Sequence, residues 1–292
     1  MTSTLEEIQV GYDIGDEFFR LWLDEKMHYS CGVFDAEHPS LELAQRNKCR
    51  ILADFAGIAP DRLVLDVGCG WGANLEYLTV DRGVQRAHGI TLSPAQYEET
   101  MSRRLPGVRV WCADYRQFVP PEPYDAIVSI EMVDHLVSPQ QHRDGHAVAI
   151  YRDYFDRLAQ WIKPGGYFGF QAILRDRVPR KRKDLEDLQF TANVIFPGGL
   201  NPRLEDLIAA SASSWEVVEL VTHRESYGRT VAEWQQRMLR NRAVIMEKGW
   251  GRRLMSNGDT VMNNYERYLS TCVRAFESHW SSGVRMRLRK KP

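Results

Sequence analysis

Short apolar runs alternate with segments of helical periodicity between residues 62 and 174. Apolar runs bounded by glycine or proline are typical of buried parallel strands, and apolar residues recurring every three or four positions are typical of helices that pack on a sheet. The pattern predicts strands at 62–67, 85–90, 108–112, 124–130 and 167–174, and helices at 74–80, 94–104 and 151–162. Strands that alternate with helices in this way form βαβ units and a parallel sheet.

Both ends of the chain add segments outside this alternation. Helical periodicity predicts N-terminal helices at 12–23 and 41–55. Residues 176–199 break the pattern and are predicted to form an insertion over the carboxyl edge of the sheet. The C-terminal part is predicted to contain a strand, two long helices and a last antiparallel strand at the sheet interior or edge, at 215–222, 231–248, 259–280 and 284–288.

The length of 292 residues suffices for one large core. We therefore predict a single domain with a doubly wound α/β fold and a mostly parallel sheet. Its predicted parts are an N-terminal helical cap, a core, an inserted lid and a C-terminal half of the core with helices over a ligand site, at 1–60, 61–175, 176–202 and 203–292.

Composition narrows the class of protein. The net charge of −1 gives no overall field toward nucleic acid or membrane, and no apolar stretch is long enough to span a bilayer. The polar, acidic N-terminus is not a secretory signal, and scattered cysteines without a CxxC pair predict reduced thiols, a cytoplasmic protein and no metal. The five cysteines are Cys31, Cys49, Cys69, Cys112 and Cys272.

Two basic runs, 175–183 and 285–291, stand out from the nearly neutral chain. The first interpretation is a solvated segment, and the alternative is contact with an anionic membrane, an acyl carrier or a phosphate group. Aromatic residues do not interleave with the basic ones as they do in nucleic-acid binders, so no nucleic-acid partner is predicted.

A glycine-rich loop follows the first predicted core strand. Asp66 precedes Gly68, Gly70 and Gly72, and glycines at this point allow a tight turn and close approach of a ligand to the main chain. Dinucleotide sites have G-x-G-x-x-G and an acid at the end of the second strand, whereas this loop is G-x-G-x-G and the second strand has no such acid. The pattern favours the loop of class I methyltransferases that bind S-adenosylmethionine (SAM).

Motifs along almost the whole chain resemble those of one family. They are Tyr29-Ser30-Cys31 with Phe34, Leu41-Glu42 with Ala44-Gln45 and Lys48, the run 64–72, Gly89-Ile90-Thr91-Leu92-Ser93 with Gln96, Asp114-Tyr115-Arg116 with Phe118, Phe196-Pro197-Gly198-Gly199, and Tyr227 with Thr230-Val231 and Trp234. In this order they resemble the cyclopropane fatty acid synthases and mycolic acid cyclopropane synthases, with plant relatives such as coclaurine N-methyltransferase.

The resemblance implies that SAM is the methyl donor and places its contacts. The family's positions put the N-terminal segment over the carboxylate end of SAM, the glycine loop along its methionine part, and the residues after the second and third strands at its ribose and adenine. The implied cofactor residues are Tyr29, Ser30, Asp66, Gly68, Cys69, Gly70, Gly72, Thr91, Leu92, Gln96, Asp114 and Ile130.

The end of the fourth core strand carries the candidate catalytic groups. Glu131, Asp134 and His135 follow this strand at the edge where doubly wound sheets bind ligands. Carboxylates and a histidine can orient a methyl acceptor, remove its proton or stabilise a developing positive charge. The alternative is structural, with Asp134 as a helix cap and His135 orienting the loop.

The family's bicarbonate site is altered in this sequence. By resemblance, cyclopropane synthases hold a bicarbonate base with a glutamate, a histidine on the next strand and a tyrosine. Here the preceding glycine is Glu131, the glutamate is Asp134 and the histidine is Gln171, so Tyr227 alone is kept, and these changes argue against a bicarbonate. Gln171, Tyr12 and Phe196 are predicted acceptor-site residues.

These departures favour plain methyl transfer, because the plant N-methyltransferases have IEMFEH where this chain has Ile130-Glu131-Met132-Val133-Asp134-His135. The sequence therefore predicts a SAM-dependent methyltransferase acting on a nitrogen or electron-rich carbon of a small molecule in specialised metabolism, with a homodimer as one expected assembly. Two alternatives stay open. One is a cyclopropane synthase acting on a lipid alkene, and the other is a SAM-binding protein without catalysis.

Overall fold

A computed structural model describes residues 14–292, and these form one seven-stranded sheet with helices packed on both faces. The strand order is β3-β2-β1-β4-β5-β7-β6, and all neighbours are parallel except β7, which runs antiparallel to β5 and β6. The strands are β1 Leu63–Val67, β2 Arg86–Thr91, β3 Val108–Cys112, β4 Tyr124–Ile130, β5 Ile162–Arg175, β6 Trp215–Thr222 and β7 Ser281–Lys290.

Eleven helices accompany these strands in the described part of the chain, and two of them continue into π-helical turns, at Tyr77–Asp81 and Thr191–Ile195. The helices are α1 Asp16–Phe19, α2 Leu41–Phe55, α3 Ala73–Glu76, α4 Pro94–Ser102, α5 Pro139–Arg143, α6 Ala147–Trp161, α7 Arg182–Phe190, α8 Leu204–Ser211, α9 Arg224–Arg240, α10 Arg242–Glu247 and α11 Val261–Glu277.

The predicted fold class is confirmed, and the sheet shows why the pattern predicted it. Every residue of β1 is buried, as expected for a central parallel strand covered by helices on both faces. α2 has the predicted bounds because Ser40 caps it, accepting a hydrogen bond from the main-chain N–H of Leu43. The strand order reverses between β1 and β4, which opens a ligand crevice at their carboxyl ends.

Several predicted elements differ in extent from the structure. The helix predicted at 12–23 is only Asp16–Phe19 within the described residues, after which turns bring its aromatic rings inward. The helix predicted at 231–248 begins earlier and divides into α9 and α10 at Asn241, and α8 was not predicted. The insertion at 176–199 contains α7 and its π-helical turn, and the division into four parts stays a prediction.

The basic run at 285–291 is not a solvated segment. It belongs to β7, which lies inside the sheet between β5 and β6, and Arg285 is only 1% exposed. A local charge pattern could not reveal this, because burial of the residue depends on pairing with a strand more than a hundred residues away.

An aromatic cluster joins the N-terminal segment to the C-terminal helices. Trp22 packs edge-to-face on Trp234 of α9, and Phe18 packs on Tyr265 of α11 at a centroid distance of 4.9 Å. Such contacts bury large apolar areas and add about 1 kcal/mol per pair. They hold the N-terminal segment across the carboxyl edge of the sheet. Among residues 14–292, no helix has both the length and the apolar character needed to cross a bilayer.

Candidate active site

A cavity opens at the carboxyl ends of β1, β2 and β4, beside the glycine-rich loop. Its empty volume is about 1220 Å³, part of it open to solvent. Eleven of the twelve residues predicted to bind the cofactor line this cavity, namely Tyr29, Ser30, Asp66, Gly68, Cys69, Gly70, Thr91, Leu92, Gln96, Asp114 and Ile130.

The glycine loop is shaped for close approach of a ligand. Gly68 and Gly70 have φ values of 82° and 55°, in the left-handed region that favours glycine. A Cβ on Gly70 would meet no described atom within 4 Å, so the main chain there faces open space. Gly72, the remaining predicted cofactor residue, does not line the cavity; a Cβ there would approach Thr100 to 2.5 Å, so this glycine allows close packing of α3 against α4.

Asp66 lines the cavity and has one carboxylate oxygen without a hydrogen-bond partner among the described residues. Its Oδ2 accepts a hydrogen bond from Asn74 at 3.0 Å, while Oδ1 is buried without a partner among the described residues. Burial raises the pKa of this carboxyl to about 6, against the hydrogen bond from Asn74. A buried acceptor left open in this way fits a cationic group such as the ammonium of SAM.

Lys48 supplies the opposite charge at the same end of the cavity. Its side chain is completely buried, and Nζ donates to Ser30 Oγ at 2.8 Å but forms no ion pair with a described carboxylate. Two of its three donors are thus open, which fits the carboxylate of an amino acid. In the sequence Lys48 stands only within a family motif, and nothing local marks it as a site residue.

Polar groups also stand at the other end of the cavity. Thr91 Oγ1 donates to Gln96 Oε1 at 2.8 Å, which leaves the Gln96 amide donors for a ligand. Asp114 is engaged by Arg116, whose guanidinium contacts both carboxylate oxygens. Gln96 and Asp114 both line the cavity. The donors and acceptors present at the two ends therefore fit SAM.

Glu131 lies at the centre of a hydrogen-bonded cradle. Its Oε1 accepts from the main-chain N–H of Cys31 at 3.0 Å and from Gln171 Nε2 at 2.7 Å, and its Oε2 accepts from the Tyr227 hydroxyl at 2.6 Å. Its φ of 55° is unusual for a residue with a side chain and is stabilised by a main-chain bond to Gln171 O. Burial raises the pKa of the Glu131 carboxyl, although these three donors oppose the effect.

A bicarbonate ion does not fit into the cradle together with the Glu131 carboxylate. Tyr227 and Gln171 occupy the positions at which, by resemblance, cyclopropane synthases have the tyrosine and the histidine that hold bicarbonate. Both donate instead to the Glu131 carboxylate, which thereby takes the hydrogen bonds of the anion. The space lined by Glu131, Gln171 and Arg285 behind the cradle is too narrow to admit a molecule of the size of water.

Asp134 and His135 are placed differently from each other. Asp134 does not line the cavity; its Oδ2 accepts from the main-chain N–H of Ile173 at 3.3 Å, and Oδ1 is buried without a partner in the described chain. His135 lines the cavity, and burial lowers its pKa to about 4, so the ring is neutral. The predicted catalytic residues therefore do not form one group. Glu131 and Tyr227 are hydrogen-bonded to each other, His135 lines the cavity, and Asp134 lies outside the cavity lining.

An aromatic wall lies next to His135. The ring of Phe196 is 6.0 Å from that of His135 and packs edge-to-face on Tyr268 at 5.5 Å. The Tyr29 hydroxyl donates to that of Tyr268 at 3.2 Å. Phe196 thus lies beside His135, and its role in binding the acceptor stays a prediction. Tyr12, the other predicted acceptor residue, lies outside the described residues.

The fold and the cavity define a class I SAM-dependent methyltransferase. The chain belongs to the family described as mycolic acid cyclopropane synthetase, whose family model matches residues 1–285. SAM is the methyl donor of this class, and among residues 14–292 no cluster of three or more metal-ligating side chains is found.

Individual relatives are similar over their whole length. Cyclopropane mycolic acid synthase MmaA2 of Mycobacterium tuberculosis is 30% identical over 299 residues, which covers 94% of either chain, and its structure matches with a TM-score of 0.87, covering 100% of this chain and 99% of that one. The structure of mycolic acid cyclopropane synthase CmaA1 complexed with S-adenosylhomocysteine (SAH) and CTAB matches with a TM-score of 0.86 at 25% identity, with the same coverage. Coclaurine N-methyltransferase, at 21% identity and a TM-score of 0.80, shares the fold and covers 100% and 83% of the two chains.

Asp134 gives a prediction about stability. Burial and the charge of Glu131 raise its pKa well above the ordinary value, so the free energy of unfolding falls as pH rises from about 4 toward the folded-state pKa. Asp134→Asn removes the titrating proton and should raise the free energy of unfolding at pH 7 by on the order of 1 kcal/mol or more, with a smaller gain at pH 4. Urea unfolding between pH 4 and 8 measures this difference.

The control is Asp61→Asn, which changes an exposed aspartate. We expect no comparable pH-dependent gain for it. An Asp134→Asn protein that is no more stable than wild type at pH 7 would show that burial of the Asp134 carboxyl carries no such cost.

Proposed function

We propose that this protein transfers a methyl group from SAM to a carbon–carbon double bond of an apolar acceptor and that Glu131 removes a proton from the new methyl group to close a cyclopropane ring. The observation that carries the proposal is the Glu131 carboxylate, held by Cys31, Gln171 and Tyr227. The family relatives support this lipid-alkene alternative better than methyl transfer to a small-molecule nitrogen.

The residues at the two ends of the cavity would hold SAM. The buried ammonium of Lys48 and the Ser30 hydroxyl face its carboxylate, and the open Oδ1 of Asp66 accepts from its ammonium. Gln96, oriented by Thr91, would contact the ribose hydroxyls. When bound, SAM supplies an electrophilic methyl group and keeps the electron pair of the methyl–sulfur bond.

Glu131 acts on the acceptor. The electron pair of the double bond forms the new carbon–carbon bond, which leaves a cation on the neighbouring carbon. Glu131 takes one proton from the new methyl group, and the electron pair of that C–H bond closes the ring. A carboxylate also stabilises the intermediate cation, and the rings of Phe196 and Tyr268 add an aromatic face. Glu131 then returns its proton to solvent.

The altered bicarbonate site does not weigh against this chemistry. Asp134 is one methylene shorter than the family's glutamate, and Gln171 does not titrate, so a bound anion is poorly held. The Glu131 side chain supplies a carboxylate from the chain itself, with the hydrogen bonds already formed before substrate binds.

A second candidate is methylation of an amine. Its support is the segment 130–135, which resembles that of the plant N-methyltransferases. Glu131 would there bind the ammonium form of the acceptor and take its proton. Acceptor choice separates the two functions, since the same carboxylate serves both.

The test is release of SAH in a panel of acceptors, with monounsaturated acyl lipids, their saturated counterparts and secondary amines. We expect turnover with the unsaturated acyl lipids alone, and Glu131→Gln should abolish it. Turnover with amines but not alkenes would establish the second candidate. Binding of SAM without turnover of any acceptor would favour the alternative of a SAM-binding protein without catalysis.

A further inference from the structure

A buried guanidinium stands behind the Glu131 cradle. Arg285 on β7 lies directly opposite Gln171 on β5, and its Nε donates to Gln171 Oε1 at 2.7 Å. Its Nη1 is buried without a partner among residues 14–292. Burial of a guanidinium costs desolvation free energy, so it is expected only where another charge compensates for that cost.

The polarity of the hydrogen bonds links Arg285 to Glu131. A guanidinium can only donate, so the oxygen of the Gln171 amide must face Arg285 and its nitrogen must face the cradle. That nitrogen donates to Glu131 Oε1 at 2.7 Å and to the main-chain oxygen of Cys31 at 3.3 Å. Glu131 Oε1 must therefore accept a hydrogen bond, and it cannot carry a proton in this arrangement.

Charged and titratable groups on several elements act on the Glu131 carboxyl. Burial and Asp134 oppose its negative charge, whereas Tyr227 on α9 and Lys48 on α2 favour it. Two groups beside Arg285 stay neutral, because burial raises the pKa of the Cys31 thiol to about 12 and burial, with Arg285, lowers that of His223 to about 4. The cation Arg285 donates to Gln171, and Gln171 in turn donates to Glu131.

We infer that Arg285 is a positioning residue that fixes the orientation of the Gln171 amide and keeps the buried Glu131 carboxyl ionised and ready to accept a proton. The chain guanidinium–amide–carboxylate is the observation that carries this inference. Its catalytic consequence rests on the proposed function, whereas the ionisation of Glu131 can be measured without any acceptor.

The experiment is an infrared titration of the full chain, in which the C=O band of a protonated carboxyl is followed against pH. Glu131→Gln identifies the band that belongs to Glu131. Replacing Arg285 by Met removes the cation, so the charged form of Glu131 loses its compensation and the pH of half-protonation should rise by about one unit or more. Arg285→Lys should lie between the two proteins.

The matched control is Arg289→Met, on the same strand, where the guanidinium is exposed and pairs with Glu216. We expect no change in the Glu131 band. Gln171→Leu removes the amide that links Arg285 to Glu131 and leaves the Arg285 side chain unchanged. It should also raise the pH of half-protonation of Glu131. It provides the same test if Arg285→Met does not fold.

An unchanged Glu131 titration in folded Arg285→Met or Gln171→Leu would overturn the inference and leave Arg285 a structural residue. Where the chain turns over an acceptor, the acid limb of the kcat/KM profile should move to higher pH with the same variants. A shifted infrared band without any turnover would contradict the proposed function and leave the inference about Arg285 standing.

Discussion

Glu131→Gly is expected to lower kcat by about 10²- to 10⁴-fold, the usual contribution of a positioned general base. The left-handed φ of 55° at this position suits glycine, so the loss should not come from misfolding. Truncation leaves the donors of Cys31, Gln171 and Tyr227 without an acceptor and opens space between them. We therefore expect added bicarbonate or formate to restore part of the activity in a concentration-dependent way.

Glu131→Gln is the matched control. Its amide fills the same space but accepts no proton, so activity should be lost and neither anion should restore it. Wild-type turnover should be the same in buffers depleted of bicarbonate and in buffers containing it. Wild-type activity that requires bicarbonate, or full activity of Glu131→Gly without any anion, would contradict the assignment of Glu131 as base.

Lys48→Met is expected to weaken SAM binding by about 10- to 100-fold, because a charge-assisted hydrogen bond contributes about 1.5–3 kcal/mol. The buried ammonium has Ser30 as its hydrogen-bond partner and retains two open donors. Isothermal titration calorimetry with SAM measures the effect. 5′-Methylthioadenosine, which lacks the amino-acid part, should bind wild type and variant equally.

Lys26→Met is the matched control, since Lys26 is exposed and pairs with Glu76 on the surface. It should leave the affinity for SAM unchanged. Equal weakening of SAM and 5′-methylthioadenosine by Lys48→Met would mean that Lys48 supports the fold of the cavity and does not bind the carboxylate.

The sequence predicts the core of the sheet well because burial on two faces leaves a local trace. β4 is mostly buried and has the predicted bounds, since its apolar run begins just after a proline. β3 and β6 also have the predicted bounds, although they are edge strands and only partly buried. α8 escaped prediction, being a short helix without a strong periodic pattern, and the break at Asn241 depends on packing against the N-terminal segment, where the Asn241 side chain donates to Leu21 O.

The site was predicted in part for the same reason. Motif positions marked Glu131 and Tyr227, but their hydrogen bond joins residues 96 positions apart and no local pattern shows it. The sequence predicts residues 284–288 as a last antiparallel strand and 285–291 as a basic run, but neither pattern shows that Arg285 is buried opposite Gln171. Gln171 was predicted to contact the acceptor, but it does not line the cavity and donates instead to Glu131. The Arg285 that orients it could be found only in three dimensions.

The central claim is that a carboxylate of the chain takes a proton from the transferred methyl group. The most direct measurement is mass spectrometry of the product formed from a monounsaturated acyl lipid and SAM with a fully deuterated methyl. Ring closure at Glu131 requires loss of one deuteron, so the product should retain two of the three. A product that retains all three deuterons would mean simple methyl transfer and would contradict the claim.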